Sequence, residues 1–160
     1  GGGIIGDHTT GSYVACLSDK NHLYWVTGAS TPCLAMFKPL WFMEKNPVVF
    51  GEDQQQEAIS YWQLRERFHR MVINGQVTNL ESYYEKRDQL EKSWQETAAQ
   101  LDAESASDST RIEFMTEAWR QEAEVIQKYI AENQNKPIRR RGNPYFRSYW
   151  RRQTQRLGRT

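Results

Sequence analysis

The spacing of apolar positions changes character part-way along the chain. Residues 12–18 and 22–27 are two short β-prone runs that carry Tyr13, Val14, Leu17, Leu23, Tyr24, Trp25 and Val26. Asp19, Lys20 and Asn21 lie between them, which predicts a hairpin with a three-residue loop. Neither run alternates cleanly between apolar and polar, so both strands are expected to be buried on both faces. Cys16, between Ala15 and Leu17, is then expected to be a buried structural thiol. A third extended stretch, 33–42, is punctuated by Pro39, and 43–53 reads as a connection.

Beyond Glu52 the period becomes helical. Residues 54–74 place Ile59, Tyr61, Trp62, Leu64, Phe68, Met71 and Val72 on more than one face, which predicts a helix covered on several sides and stopped at Asn74-Gly75. A second helix is predicted over 80–103, capped by Asn79, with a stripe of Leu80, Tyr83, Leu90, Trp94, Ala98 and Leu101. After a turn at Ser105–Ser109, a third is predicted over 110–133, with Ile112, Met115, Trp119, Ala123, Ile126 and Ile130 on one face. Two long helices joined by a short polar loop predict an antiparallel hairpin over 80–133. Lys136-Pro137 ends it. Asn143 as cap and Pro144 at the first helical position predict a last short helix over 144–157. Together these elements make an α+β chain of three regions: strand-rich 1–50, helical 51–135 and a tail, 136–160.

Charge separates the tail from the rest. Residues 1–135 hold all 20 acidic residues and 12 basic ones, a balance of −8; residues 136–160 hold nine basic residues and no acidic one. The overall charge of +1 conceals this division. The two cysteines, Cys16 and Cys33, are too few for a disulfide framework and point to a reduced, cytoplasmic setting. No apolar run approaches the length of a membrane span. The Gly1-Gly2-Gly3 run lacks a following Gly-Lys-Ser/Thr, so it is not a phosphate loop. His8, Cys16, His22, Cys33 and His69 show no zinc spacing, and neither a metal nor another cofactor is expected.

Two blocks carry the chemistry. The first runs Gly1-Gly2-Gly3-Ile4-Ile5-Gly6-Asp7-His8-Thr9-Thr10-Gly11-Ser12-Tyr13-Val14-Ala15. The second runs Trp25-Val26-Thr27-Gly28-Ala29-Ser30-Thr31-Pro32-Cys33 and continues to Met36-Phe37-Lys38-Pro39. In order and separation they resemble the secernin/dipeptidase family of cysteine-type N-terminal-nucleophile hydrolases, which has a His-x-Thr-x-Ser stretch entering a strand, a Thr-Gly-x-x-x-Pro loop and then Phe-Lys-Pro. The resemblance covers about the first quarter of the chain. It implies that residues 1–50 form part of a four-layer αββα sandwich. It also implies an intact enzyme that hydrolyses dipeptides or similar small amides through an acyl-enzyme on an amino-terminal cysteine, with acyl transfer as a near neighbour. In such an enzyme Asp7, His8, Thr9, Thr10 and Ser12, with Thr27, Ser30 and Thr31, would line the substrate cleft. The plainer alternative is that these residues satisfy backbone donors in turns and end a strand.

The mechanism needs Cys, Ser or Thr at a free amino terminus, where the α-amine can serve as base. Gly1 has no side chain, and Cys16 and Cys33 are internal. The chain is therefore expected to be the carboxy-terminal portion of such an enzyme, without a catalytic nucleophile and inactive alone, and to depend on a missing amino-terminal portion or on self-association to cover its strands.

The tail supports a second class of reading, a binding module. Arg139, Arg140 and Arg141 precede Tyr145, Phe146, Tyr149 and Trp150, interleaved with Arg147, Arg151, Arg152 and Arg156. Arginine beside aromatics suits nucleic acid or another anionic partner. The opposite charge of the body favours instead a docked tail, with Tyr149 and Trp150 buried and arginines beside body carboxylates. Docking is the expectation, with nucleic acid set second.

Overall fold

The computed structural model describes residues 11–18, 22–43, 52–139 and 142–157. Asp7, His8, Thr9, Thr10, Arg140, Arg141 and the 19–21 loop lie outside the described residues. Among the described residues the chain is α+β: a three-stranded antiparallel sheet and four α-helices. Strand β1 (Ser12–Leu17) pairs with β2 (His22–Thr27), and β2 with β3 (Lys38–Trp41), in the order β1-β2-β3. A single 3-10 turn, Pro32–Leu34, lies between β2 and β3. Pro39 sits opposite Trp25 in β3, the last strand of the order among the described residues, the kind of edge position where proline is tolerated.

The helices are α1 (Gln55–Ile73), α2 (Leu80–Ala103), α3 (Asp108–Asn133) and α4 (Pro144–Leu157). Helix α1 ends in a Schellman arrangement: Gln76 N–H bonds to the Met71 carbonyl and Gly75 N–H to that of Val72, with Gly75 at φ +66°. Helix α3 begins at Asp108, two residues before the pattern suggests, because the Ser107 hydroxyl caps it by accepting from Thr110 N–H at 3.3 Å. Asn79 occupies the N-cap position of α2 but makes no side-chain capping bond. Its side chain donates to Glu132 and accepts from Asn133, both at 3.0 Å, tying the start of α2 to the end of α3.

The expected helical hairpin is present. Ser82 reaches Tyr129, Trp94 Nε1 donates to Gln121 and Arg111 donates to Asp102, so pairing runs antiparallel from one end to the other. Strand β3 lies between its two helices. On one side Phe37 N–H donates to Glu91 and Trp41 Nε1 to Asp102, both on α2. On the other side Met36 N–H and Lys38 meet Glu122, and Trp41 contacts Phe114, all on α3. The buried core is continuous across these elements, from Trp25, Met36 and Trp41 of the sheet region through Phe68 and Met71 of α1 to Tyr83, Trp94, Met115 and Ile126.

Among the described residues the sheet is therefore covered from the β3 side. Burial of both strands on both faces does not hold for β1: Tyr13 is 70% exposed, Leu17 69% and Val14 54%, and Cys16 is exposed rather than a buried thiol. In β2, Trp25 and Thr27 are buried. Apolar composition marks a strand that wants cover; it does not supply the covering layer, and β1 is the strand farthest from the helices in the pairing order.

Candidate functional site

The Thr27–Leu34 segment leaves β2 and crosses the face of α1. There Arg65, Glu66 and His69 fall at i, i+1 and i+4, so one stripe of the helix presents a cation, a carboxylate and an imidazole to the loop. All three are buried. Arg65 Nη2 donates to Thr27 Oγ1 at 3.1 Å. His69 Nε2 lies 2.6 Å from Thr31 Oγ1, and its Nδ1 lies 3.5 Å from Glu66 Oε1. The Ser30 hydroxyl also bonds to Glu66, and Arg70 Nη2 pairs with Glu66 Oε2 at 2.7 Å. From α2, Arg87 donates to the Cys33 carbonyl at 2.7 Å, and the Tyr83 hydroxyl donates to the Leu34 carbonyl.

Four of the sequence-derived cleft residues are thus brought together. Ser12 is the register partner of Thr27, so the first motif block abuts the second, and Ser30 and Thr31 follow in the fastened loop. Cys33 is exposed, and His22 opens β2 on the exposed surface. The order Thr31 hydroxyl, His69 imidazole, Glu66 carboxylate is that of a hydroxyl nucleophile with base and orienter. The cavity it adjoins is only about 20 Å³, room for about one water and not for a dipeptide. The arrangement therefore braces the loop.

Below the loop lies a fully buried ionic cluster. Glu122 of α3 receives Lys38 Nζ at 2.5 Å, Arg65 Nη2 at 3.3 Å, Met36 N–H at 3.2 Å and the Tyr61 hydroxyl. Lys38 also donates to the Met36 carbonyl at 2.9 Å and stands 4.6 Å over the Trp119 ring. Every acceptor position of the carboxylate is used, which is what allows a charge to stay in a dry interior. Burial pushes Lys38 down to about 8, Glu122 opposing it and Arg65 adding to it. Burial alone would raise Glu122, but Lys38 and Arg65 outweigh it and hold it below the ordinary carboxylate value. Tyr61 is pushed up, first by burial and then by the Glu122 charge.

Sequence reading did not single out Arg65, Glu66, His69, Lys38 or Glu122 for the site. A signal existed for the last. Glu122 lies between Trp119 and Ile126 at helical spacing, a carboxylate on an apolar stripe, which demands a buried cation.

Glu66 titrates with a consequence that can be measured. Burial pushes its carboxyl up, but the His69 and Ser30 hydrogen bonds and the Arg70 charge outweigh this and bring it down to about 2. A carboxylate depressed in the folded state contributes stability that is full above its unfolded value, near 4.5, and is lost as pH falls toward 2. Thermal melts between pH 5 and 2 should therefore show a steeper loss of Tm for the parent chain than for Glu66→Gln. Parallel curves would remove Glu66 as a source of acid lability.

The tail docks through Trp150. Trp150 is 4% exposed, edge-on to His69 at 5.6 Å and under the Arg70 guanidinium at 4.4 Å. The rest of the docking expectation does not hold. Tyr149 is 39% exposed, and no arginine of 139 or 142–156 forms an ion pair with a body carboxylate among the described residues. Trp150 points toward α1, and the α1 stripe beneath it already pairs its own Glu66 with Arg70.

Among the described residues no group of three or more His, Cys, Asp or Glu side chains is placed to hold a metal ion, and no helix is long and apolar enough to cross a membrane. Compared with protein families, curated proteins and solved structures, the chain matches none.

Proposed function

We propose that this chain is the cleft-wall and helical-cover portion of a dipeptidase-like amide hydrolase whose nucleophile lies outside these 160 residues. The observation that carries the reading is the fastening of the second motif block. Thr27, Ser30 and Thr31 are each held by a buried polar group of α1, and Lys38 of the Phe-Lys-Pro run is held by Glu122. A loop that only ended a strand would not need three hydroxyls fixed from one helix. These hydroxyls are turned to α1 and brace the loop, and a braced loop suits the wall of a small-amide site, where positions must hold to a fraction of an ångström. The space of about 20 Å³ beside them is not the substrate cleft. The uncovered apolar strand β1 supports the need for a further layer, supplied by an amino-terminal portion or by a second copy.

In this reading a cysteine thiolate attacks the amide carbonyl. The C–N bond breaks as the amine departs with a proton, and water then hydrolyses the thioester. Dipeptides are the substrate class, with acyl transfer to an amine differing only in the second acceptor.

The 160-residue chain is expected to release no amino acids from a dipeptide panel. The coding frame extended upstream of Gly1 is expected to yield a protein that does, with turnover lost when its amino-terminal cysteine becomes Ala. Turnover by the 160-residue chain itself, abolished in Cys33→Ala and kept in Cys16→Ala, would replace this reading with an internal-cysteine enzyme.

A further inference from the structure

One side of α4 faces the segment that precedes it across a cleft of about 500 Å³, lined by Ile138, Arg139, Pro144, Arg147 and Arg151. That size falls among small-molecule sites, which run from about 300 to 1,000 Å³. At 100° per residue, Pro144, Arg147 and Arg151 fall within about 60° of one another around the helix. The other two arginines of α4, Arg152 and Arg156, form a separate row whose centre lies about 140° away. The three arginines of the cleft are exposed, and none has a carboxylate partner among the described residues. Arg147 and Arg151 stand at i, i+4, a like-charge spacing that disfavours a helix. Residues 136–160 contain no acidic residue to offset it. A cleft that gathers charge of one sign without relief concentrates counter-ions from solution, and such a breach of local charge rules marks a functional position.

Both walls of the cleft are anchored to α1. On the first wall, Arg139 N–H donates to the Asn74 carbonyl at 2.8 Å. A Cβ on Gly75 would stand 2.5 Å from the Arg139 carbonyl oxygen, so the two segments touch where only glycine fits. On the second wall, Trp150 lies edge-on to His69 at 5.6 Å and under the Arg70 guanidinium at 4.4 Å. Between the walls, Gly142 takes φ +98°, and Asn143 caps α4 by accepting from Phe146 N–H at 2.8 Å. The backbone that carries the three guanidinium groups is therefore set before any ligand arrives, which lowers the ordering cost of binding.

We infer that the Arg139–Arg147–Arg151 cleft binds a soluble small molecule carrying two or more linked phosphates. Guanidinium groups without a carboxylate suit phosphate, which they grip with paired N–H bonds. One phosphate monoester brings about −1.5 to −2 charges, too few to neutralise three guanidinium groups, whereas a diphosphate or triphosphate matches them. A polynucleotide fits less well. It would need cations that continue along its path, and the next described arginines, Arg152 and Arg156, sit on another side of the helix.

The test is isothermal titration calorimetry of the full 160-residue chain with inorganic triphosphate. An ionic strength of about 0.15 M screens exposed charges more than about 8 Å apart. Saturable, micromolar, one-to-one binding is expected, with orthophosphate at least about tenfold weaker. Arg147→Gln with Arg151→Gln should weaken triphosphate binding at least about tenfold. Arg152→Gln with Arg156→Gln removes the same charge from another side of α4 and should change it by less than about threefold. Circular dichroism of both double variants should match the parent, since all four side chains are exposed. The inference is overturned by no saturable triphosphate binding, by orthophosphate binding as tightly as triphosphate, or by equal losses in the two double variants, which would make the tail's total charge the cause. Capture on phosphatidylserine vesicles or on single-stranded RNA without triphosphate binding would also overturn it and assign the arginines to a surface or a polymer. None of these readouts involves hydrolytic turnover, so the result stands apart from the amide-hydrolase reading.

Discussion

Glu122→Ala is expected to destabilise the chain by about 3–5 kcal/mol, a large part of the total stability of an ordinary domain. The carboxylate is fully buried and is the shared counter-charge of Lys38 and Arg65, with Tyr61 and the Met36 amide also bound to it. Removing it leaves two cations, a hydroxyl and an N–H in the interior between β3, α1 and α3. Lys38→Met should cost clearly less. It removes one of the two cations and leaves Glu122 paired with Arg65, hydrogen-bonded by Tyr61 and Met36, and covered by a side chain of similar length. Urea denaturation followed by circular dichroism measures both. Equal losses for the two variants would mean that the cluster depends on Lys38 as much as on the carboxylate.

Trp41→Ala should cost about 3–5 kcal/mol, the range for emptying a packed indole site. Trp41 is 2% exposed at the end of β3, where its Nε1 donates to Asp102 at 3.1 Å, its ring meets Phe114, and Arg111 lies 5.5 Å over it. One side chain therefore joins the sheet to both helices of the hairpin, and its loss opens a cavity and leaves Asp102 with Arg111 as partner. Leu17→Ala, on the exposed strand β1, should change stability by no more than about 0.5 kcal/mol. Comparable losses for Trp41→Ala and Leu17→Ala in the 160-residue chain would mean that β1 is covered in solution by a layer outside the described residues.

The site was legible in part. Thr27, Ser30, Thr31 and Ser12 were singled out through the resemblance of the two motif blocks, not through any pattern of periodicity or charge. Their fasteners were not, because Arg65, Glu66 and His69 lie some forty positions later on a helix whose periodicity marks burial without saying what it faces. Within 80–133 the helical pattern predicted a hairpin, yet the wedge of β3 between α2 and α3 has no sequence signature. Trp41 reads as an ordinary member of an extended stretch, and the Phe-Lys-Pro run that contains Lys38 gives no sign that the lysine is sealed against Glu122.

What the chain's sequence determined by itself is its local order. Period-two and period-3.6 patterns, Gly75 after Asn74, and Asn143-Pro144 before α4 depend on neighbours within a few residues, so strands, helices and most of their ends follow from short-range sterics and hydrogen bonding. Tertiary structure alone decided which apolar and charged residues are covered. Leu17 and Cys16 of β1 stay in solvent while Lys38 and Glu122 are sealed inside, and Trp150 docks while Tyr149 does not. Burial is set by what arrives from distant parts of the chain to displace water, and a side chain's own polarity only prices that displacement.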